Sequence, residues 1–171
     1  MYNIICFHGL DSSLSIDKRD ILSEYGNVIA PTFNYRNQDV LNSINDMFDD
    51  IDPKSTVLIG SSFGGYLANL FSLYYDIPCL LFNPALPYRS IDLSISEPEN
   101  LVIKSLSYIV LGKKDEVINA DANLCFIETN FLGPTRVFVE ENMGHRVPFD
   151  QFKNHTSQFF KELQIDASEG T

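Results

Sequence analysis

The chain has 171 residues, 44% of them hydrophobic and 20% charged, the range of one globular domain with room for a sizeable core. Its formal net charge of −11 disfavours nucleic acid and anionic membrane surfaces, which need clustered Lys and Arg, and disfavours highly anionic substrates unless a local patch compensates. No apolar run is long enough to cross a bilayer and the N-terminus lacks a signal-peptide pattern, so a cytoplasmic protein is expected.

In chain order, Tyr2 to Phe7 reads as a first buried strand, followed by a loop from His8 to Leu14 and an amphipathic stretch from Ile16 to Tyr25. Val28 to Ala30 is a short strand stopped by Pro31. From Gln38 to Asp50 the apolar residues Val40, Leu41, Ile44, Met47 and Phe48 fall at helical spacing. Ser55 to Ile59 is a β-branched, apolar strand, and the segment after Gly65 returns to helical periodicity as far as Tyr75. Pro78 to Phe82 is another buried strand, and Ala85 to Asn100 an irregular loop or small excursion over the site. Tyr108 to Leu111 is a strand, Asn119 to Glu128 a helix, Thr135 to Val139 the last strand and Phe149 to Leu163 the last helix. Residues 1–165 are thus expected to form a single domain, with a frayed tail at 166–171. Alternating strands and helices with continuously apolar strands predict an α/β fold, a mostly parallel sheet with helices on both faces. Cys6, Cys79 and Cys125 are widely spaced in apolar runs, which predicts buried, reduced thiols and neither a disulfide nor a metal role.

Between the Ser55 to Ile59 strand and the next helix stands Gly60-Ser61-Ser62-Phe63-Gly64, a G-x-S-x-G in the strand–turn–helix context of a nucleophile elbow. Gly60 and Gly64 flank a turn too sharp for side chains, and the central Ser62, not its neighbour Ser61, is the candidate nucleophile. Right-handed crossovers bring all strand C-termini to one edge, so other reactive groups belong at strand ends. Asp115 follows the Tyr108 strand and His145 the Thr135 strand, giving the order Ser, Asp, His that acyl-transfer chemistry uses. Glu116 stands beside Asp115 as a rival carboxylate. The backbone amides of Leu10 and Phe63 are the candidate oxyanion donors, with His8 as a brace for its loop. His155, inside the last helix, is expected at the surface or half-buried.

Phe7-His8-Gly9-Leu10-Asp11-Ser12-Ser13, Gly60 to Gly65, Asn83-Pro84-Ala85, Gly112 to Val117 and Gly144-His145 together resemble the small YqiA-type bacterial esterases over roughly Met1 to Leu163. The resemblance implies a compact α/β-hydrolase fold without a separate cap domain, and esterase or thioesterase activity on small acyl groups. It also implies the triad Ser62, Asp115 and His145. No cofactor and no metal are implied. With no obvious lid, a shallow pocket and a short acyl chain are expected. Two other classes remain: a non-catalytic binding protein on the same fold, and an acyltransferase or C–C bond hydrolase.

Overall fold

A computed structural model of the chain describes residues 1–93, 95, 103–131 and 133–169. Six strands form one sheet: β1 (Tyr2–Phe7), β2 (Gly26–Ile29), β3 (Thr56–Ser61), β4 (Cys79–Phe82), β5 (Ser107–Gly112) and β6 (Thr135–Glu140). Their order across the sheet is β2-β1-β3-β4-β5-β6, and every neighbouring pair is parallel. Five α-helices stand among the described residues: α1 (Ile16–Ser23), α2 (Val40–Asn45), α3 (Phe63–Tyr75) and α4 (Ala120–Asn130) lie between strands, and α5 (Phe149–Glu169) follows the last one.

Period-two alternation along the strands divides the core into two layers. Ile5, Phe7, Leu58, Leu81, Ile109 and Leu111 face the layer that holds α2, α3 and α4. Ile4, Cys6, Ile59, Leu80, Tyr108 and Val110 face the layer of α1 and α5. The strands are therefore apolar on both sides, as a parallel sheet covered by helices requires. The fold is α/β, one parallel sheet covered by helices on both faces, with no separate cap domain among the described residues.

The connections explain where a site can form. The chain leaves β1 through α1 on one face and leaves β3 through α3 on the other. Because β1 and β3 are adjacent, their following loops diverge and open a crevice at the strand C-termini.

Several boundaries differ from those read from apolar content. β2 begins at Gly26, earlier than the expected Val28, because pairing with Tyr2 of β1 sets its start. The helix expected from Gln38 starts at Val40, since Asn37 Oδ1 takes the Asp39 amide in a turn, and it tightens into a 3-10 turn at Asp46–Phe48. The last helix continues past Leu163 to Glu169, so the expected tail is helical backbone over 166–169; residues 170 and 171 lie outside the described residues. The expected excursion at 85–100 is described only as far as 93 and at 95.

Two burial expectations are corrected. His155 is buried, 6% exposed, because it shares the inner face of α5 with Phe152, Phe159 and Leu163. Its Nδ1 accepts from the Tyr108 hydroxyl at 3.0 Å and its Nε2–H donates to Glu140 Oε1 at 3.0 Å. Cys125 is exposed: α4 buries Ala120, Asn123 and Ile127, which turns position 125 outward.

Burial pushes the Cys6 thiol up to about 12 and the Cys79 thiol up to about 11. A disulfide reagent applied to the folded protein at pH 8 is therefore expected to modify Cys125 rapidly and the other two only after unfolding. Fast modification persisting in Cys125→Ser would contradict this packing.

Candidate active site

The elbow is built by crowding. A Cβ on Gly64 would lie 2.1 Å from the Phe7 carbonyl oxygen, and one on Gly60 would lie 2.2 Å from the Gly64 carbonyl oxygen. Only glycine allows the first turn of α3 to press so close against β1 and β3. The strain falls on the residue between them: Ser62 has φ 56° and ψ −123°, a conformation an L-residue rarely adopts. Its backbone is over-determined, because its N–H donates to Phe82 O at 3.0 Å and its carbonyl accepts from Gly65, Tyr66 and Ala85.

His8, Gly9 and Leu10 leave β1 alongside this elbow. A Cβ on Gly9 would stand 3.3 Å from Ser62 Cβ, so the loop backbone touches the serine. His8 is the brace expected of it. Its Nδ1–H donates to Gly9 O at 2.6 Å and its Nε2 accepts from the Phe33 amide at 2.7 Å, which fixes a neutral tautomer. Tyr35 adds a second brace, donating its hydroxyl to His8 O at 3.0 Å with its ring 4.9 Å from those of His8 and Phe63. Burial pushes the Tyr35 hydroxyl well above the usual tyrosine value, so it stays a donor. Neither Phe33 nor Tyr35 was marked by the sequence, which has no motif there. Among the described residues the Leu10 and Phe63 amides carry no hydrogen bond, and Phe63 opens α3, where the first amides have no intrahelical acceptor.

Across the crevice, His145 Nδ1 donates to Asp115 Oδ2 at 2.9 Å and lies 3.1 Å from Oδ1. The Asp115 side chain is fully buried, and Oδ1 also accepts the amides of Val117 and Ile118, both at 2.8 Å. The rival Glu116 is exposed. The two lysines between Gly112 and Asp115 tie the carboxylate loop to the histidine loop: Lys113 N donates to Glu140 O and Lys114 N to Met143 O. Ser62, His145, Leu10 and Phe63 all line one cavity of about 980 Å³. No hydrogen bond joins Ser62 Oγ to His145 among the described residues; the two face the same space. No group of three His, Cys, Asp or Glu among the described residues is placed to hold a metal ion.

Asn83 is the residue whose importance the sequence understated, although it stands in the Asn-Pro-Ala motif. It takes φ 43° at the end of β4 and is 1% exposed. Its Oδ1 accepts the Gly112 amide at 2.7 Å, while its Nδ2 donates to Gly144 O at 2.9 Å and His145 O at 3.1 Å. One amide side chain thereby joins the ends of β4, β5 and the His145 loop.

Fold and site together place the molecule in the α/β-hydrolase fold class. Residues 3–106 match the model of the uncharacterised protein family UPF0227, and the chain belongs to that family, the YqiA-like one its motifs resemble. The matched span contains the elbow and the His8 loop; Asp115 and His145 lie beyond it. A comparison with curated proteins returns no match. Among solved structures, the fold is similar to a "putative hydrolase of the alpha/beta superfamily" from Xanthomonas campestris pv. campestris, at 20% identity and a TM-score of 0.68, covering 96% of this chain and 99% of that one. It is similar also to the Bacillus cereus carboxylesterase, at 15% identity and a TM-score of 0.62, covering 94% and 88%. Est1E from Butyrivibrio proteoclasticus matches at 13% identity and a TM-score of 0.65, covering 94% and 87%.

Asn83→Asp keeps the acceptor for Gly112 and tolerates positive φ, but turns an oxygen toward two carbonyls of the His145 loop. It is expected to lower the rate constant of any reaction that uses His145 while leaving KM near its original value. Asn83→Ala orphans the buried Gly112 amide and is expected to cost about 2–3 kcal/mol in urea unfolding. Full stability in Asn83→Ala would remove this role.

Proposed function

We propose that the protein is a serine hydrolase of carboxylic esters or thioesters, acting through an acyl-enzyme on Ser62. One observation carries the reading: a serine in a strained backbone conformation shares a cavity with a histidine whose other nitrogen is held by a buried carboxylate. A binding protein without chemistry has no use for that strain or for a charge so enclosed.

In the proposed cycle Ser62 Oγ bonds to the substrate carbonyl carbon as its proton passes to His145 Nε2. The carbonyl electron pair moves onto oxygen, which accepts hydrogen bonds from the Leu10 and Phe63 amides at the positive end of α3. Collapse breaks the C–O or C–S bond, and the leaving group takes the proton from His145. Water then attacks the acyl-serine by the same route, releasing the carboxylic acid and restoring Ser62. Asp115 holds the imidazole in the Nδ1–H tautomer and stabilises its charged form. The cycle draws on no cofactor or metal. We assign the protein to the cytoplasm, an assignment supported by its three free cysteines, and its partners to small acyl substrates.

Ser62→Ala is expected to abolish turnover of short-chain p-nitrophenyl esters and acyl thioesters, and to abolish labelling by a fluorophosphonate probe. Asp115→Asn presents the wrong tautomer and should lower kcat by about 10⁴-fold, whereas Glu116→Gln should leave it unchanged. Wild-type kcat in Asp115→Asn would sink the triad, and equal activity in Ser62→Ala the whole mechanism.

A further inference from the structure

An acidic chain has built a cavity of the opposite sign. The chain holds 23 Asp and Glu against 12 Lys and Arg. Among the described residues that line the candidate site, Lys18, Arg89 and Arg146 are cationic and Asp11 alone is acidic. Asp11 is already matched by Arg36, which reaches its two oxygens at 2.5 and 3.0 Å and holds the carboxyl below the usual range.

Lys18 and Arg146 are different: among the described residues neither forms an ion pair. Lys18 lies half-buried on α1, its Nζ donating to Val147 O at 3.1 Å and standing 5.0 Å from the centre of the Phe152 ring. Burial keeps its ammonium below the usual lysine value. A cation drawn partly out of water without a counter-charge is unfavourable, and an anion entering the cavity relieves that cost. Arg89 is otherwise engaged, over the Tyr66 ring at 4.2 Å and donating to Leu86 O.

Position then selects the part of the substrate that is charged. Arg146 follows His145 directly, and Lys18 grips Val147 on the same loop. In acyl transfer the leaving group must lie beside the imidazole that returns its proton. The acyl group has apolar surface elsewhere, from Leu10, Ala85 and Ile118 on the α2–α4 side of the sheet. Resting on the hydrolase reading above, we infer that the leaving group of the natural substrate carries a phosphate or carboxylate, received by Lys18 and Arg146 beside His145.

Four esters test this: neutral phenyl acetate, para-acetoxybenzoate and para-acetoxyphenyl phosphate with the anion on the leaving group, and monophenyl succinate with it on the acyl side. After correction for alkaline hydrolysis rates, kcat/KM for a leaving-group anion should exceed that for phenyl acetate by roughly tenfold. Whichever of the two is preferred identifies phosphate or carboxylate. Lys18→Met and Arg146→Gln should each reduce that ratio by about tenfold, Lys18→Arg should retain it, and added salt should lower it. The ratio separates anion binding from mere loosening of the Val147 loop, which slows both esters alike. A wild-type ratio near one, a ratio unmoved by both substitutions, or a stronger preference for monophenyl succinate overturns the inference while leaving the hydrolase reading intact. Absence of Ser62-dependent turnover on all four overturns both.

Discussion

The close approach of α3 to the end of β1 is the constraint on which the rest of the site depends. With Gly64 pressed against the carbonyls of Phe7 and His8, the chain can turn from β3 into α3 only if Ser62 absorbs a positive φ. The same contact brings the His8–Leu10 backbone against the serine. It also leaves the Phe63 amide, the first of α3, without an acceptor among the described residues. A larger residue at position 64 would push α3, and Ser62 with it, away from the His8–Leu10 loop. The strain is affordable because Ser62 is tied by backbone hydrogen bonds on both sides, to Phe82 and to Gly65, Tyr66 and Ala85.

The other half of the site is held in a different way, by polar side chains in place of crowding. Asp115 brings a buried negative charge to the end of β5, which is tolerable only when its oxygens are saturated. Two amides of its own loop and the His145 ring do that. The histidine loop follows β6, the edge strand of the sheet, and is held by the backbone of Lys113 and Lys114, by Asn83 and by the Lys18 side chain. Serine and histidine therefore come from two separately fastened pieces, and Asn83, at the end of β4 between them, links the two.

The features legible in the sequence were those with local chemistry. Ser62 could be read from the glycines that its turn demands, and Asp115 and His145 from their positions after apolar strands. That Asp115 and not Glu116 meets the His145 ring is not a local property: it depends on which carboxylate the loop buries, and Asp115 is the one that accepts the Val117 and Ile118 amides. Tyr35, Phe33 and Asn83 act through atoms 25 to 62 positions away in the chain, and no short pattern encodes such a partner. His155 was misplaced for a different reason. Its residue type suggests a surface position, yet its spacing from Phe152 and Phe159 puts it on the buried face of α5, and periodicity outweighed polarity because Tyr108 and Glu140 satisfy the ring.

That same cluster shows why composition alone does not define the candidate centre. Glu140, His155 and Tyr108 present a carboxylate, an imidazole and a hydroxyl in sequence, the same functional groups as Asp115, His145 and Ser62. Yet Tyr108 is completely buried, burial pushes its hydroxyl above the usual tyrosine value, and neither it nor His155 reaches the cavity. There the imidazole links α5 to the sheet, and both of its nitrogens are occupied. At His145 one nitrogen is held and the other is left toward the crevice, where the loops after β1 and β3 diverge. The two histidines thus differ in surroundings and not in type: His145 lines the cavity, whereas His155 is enclosed between α5 and the sheet.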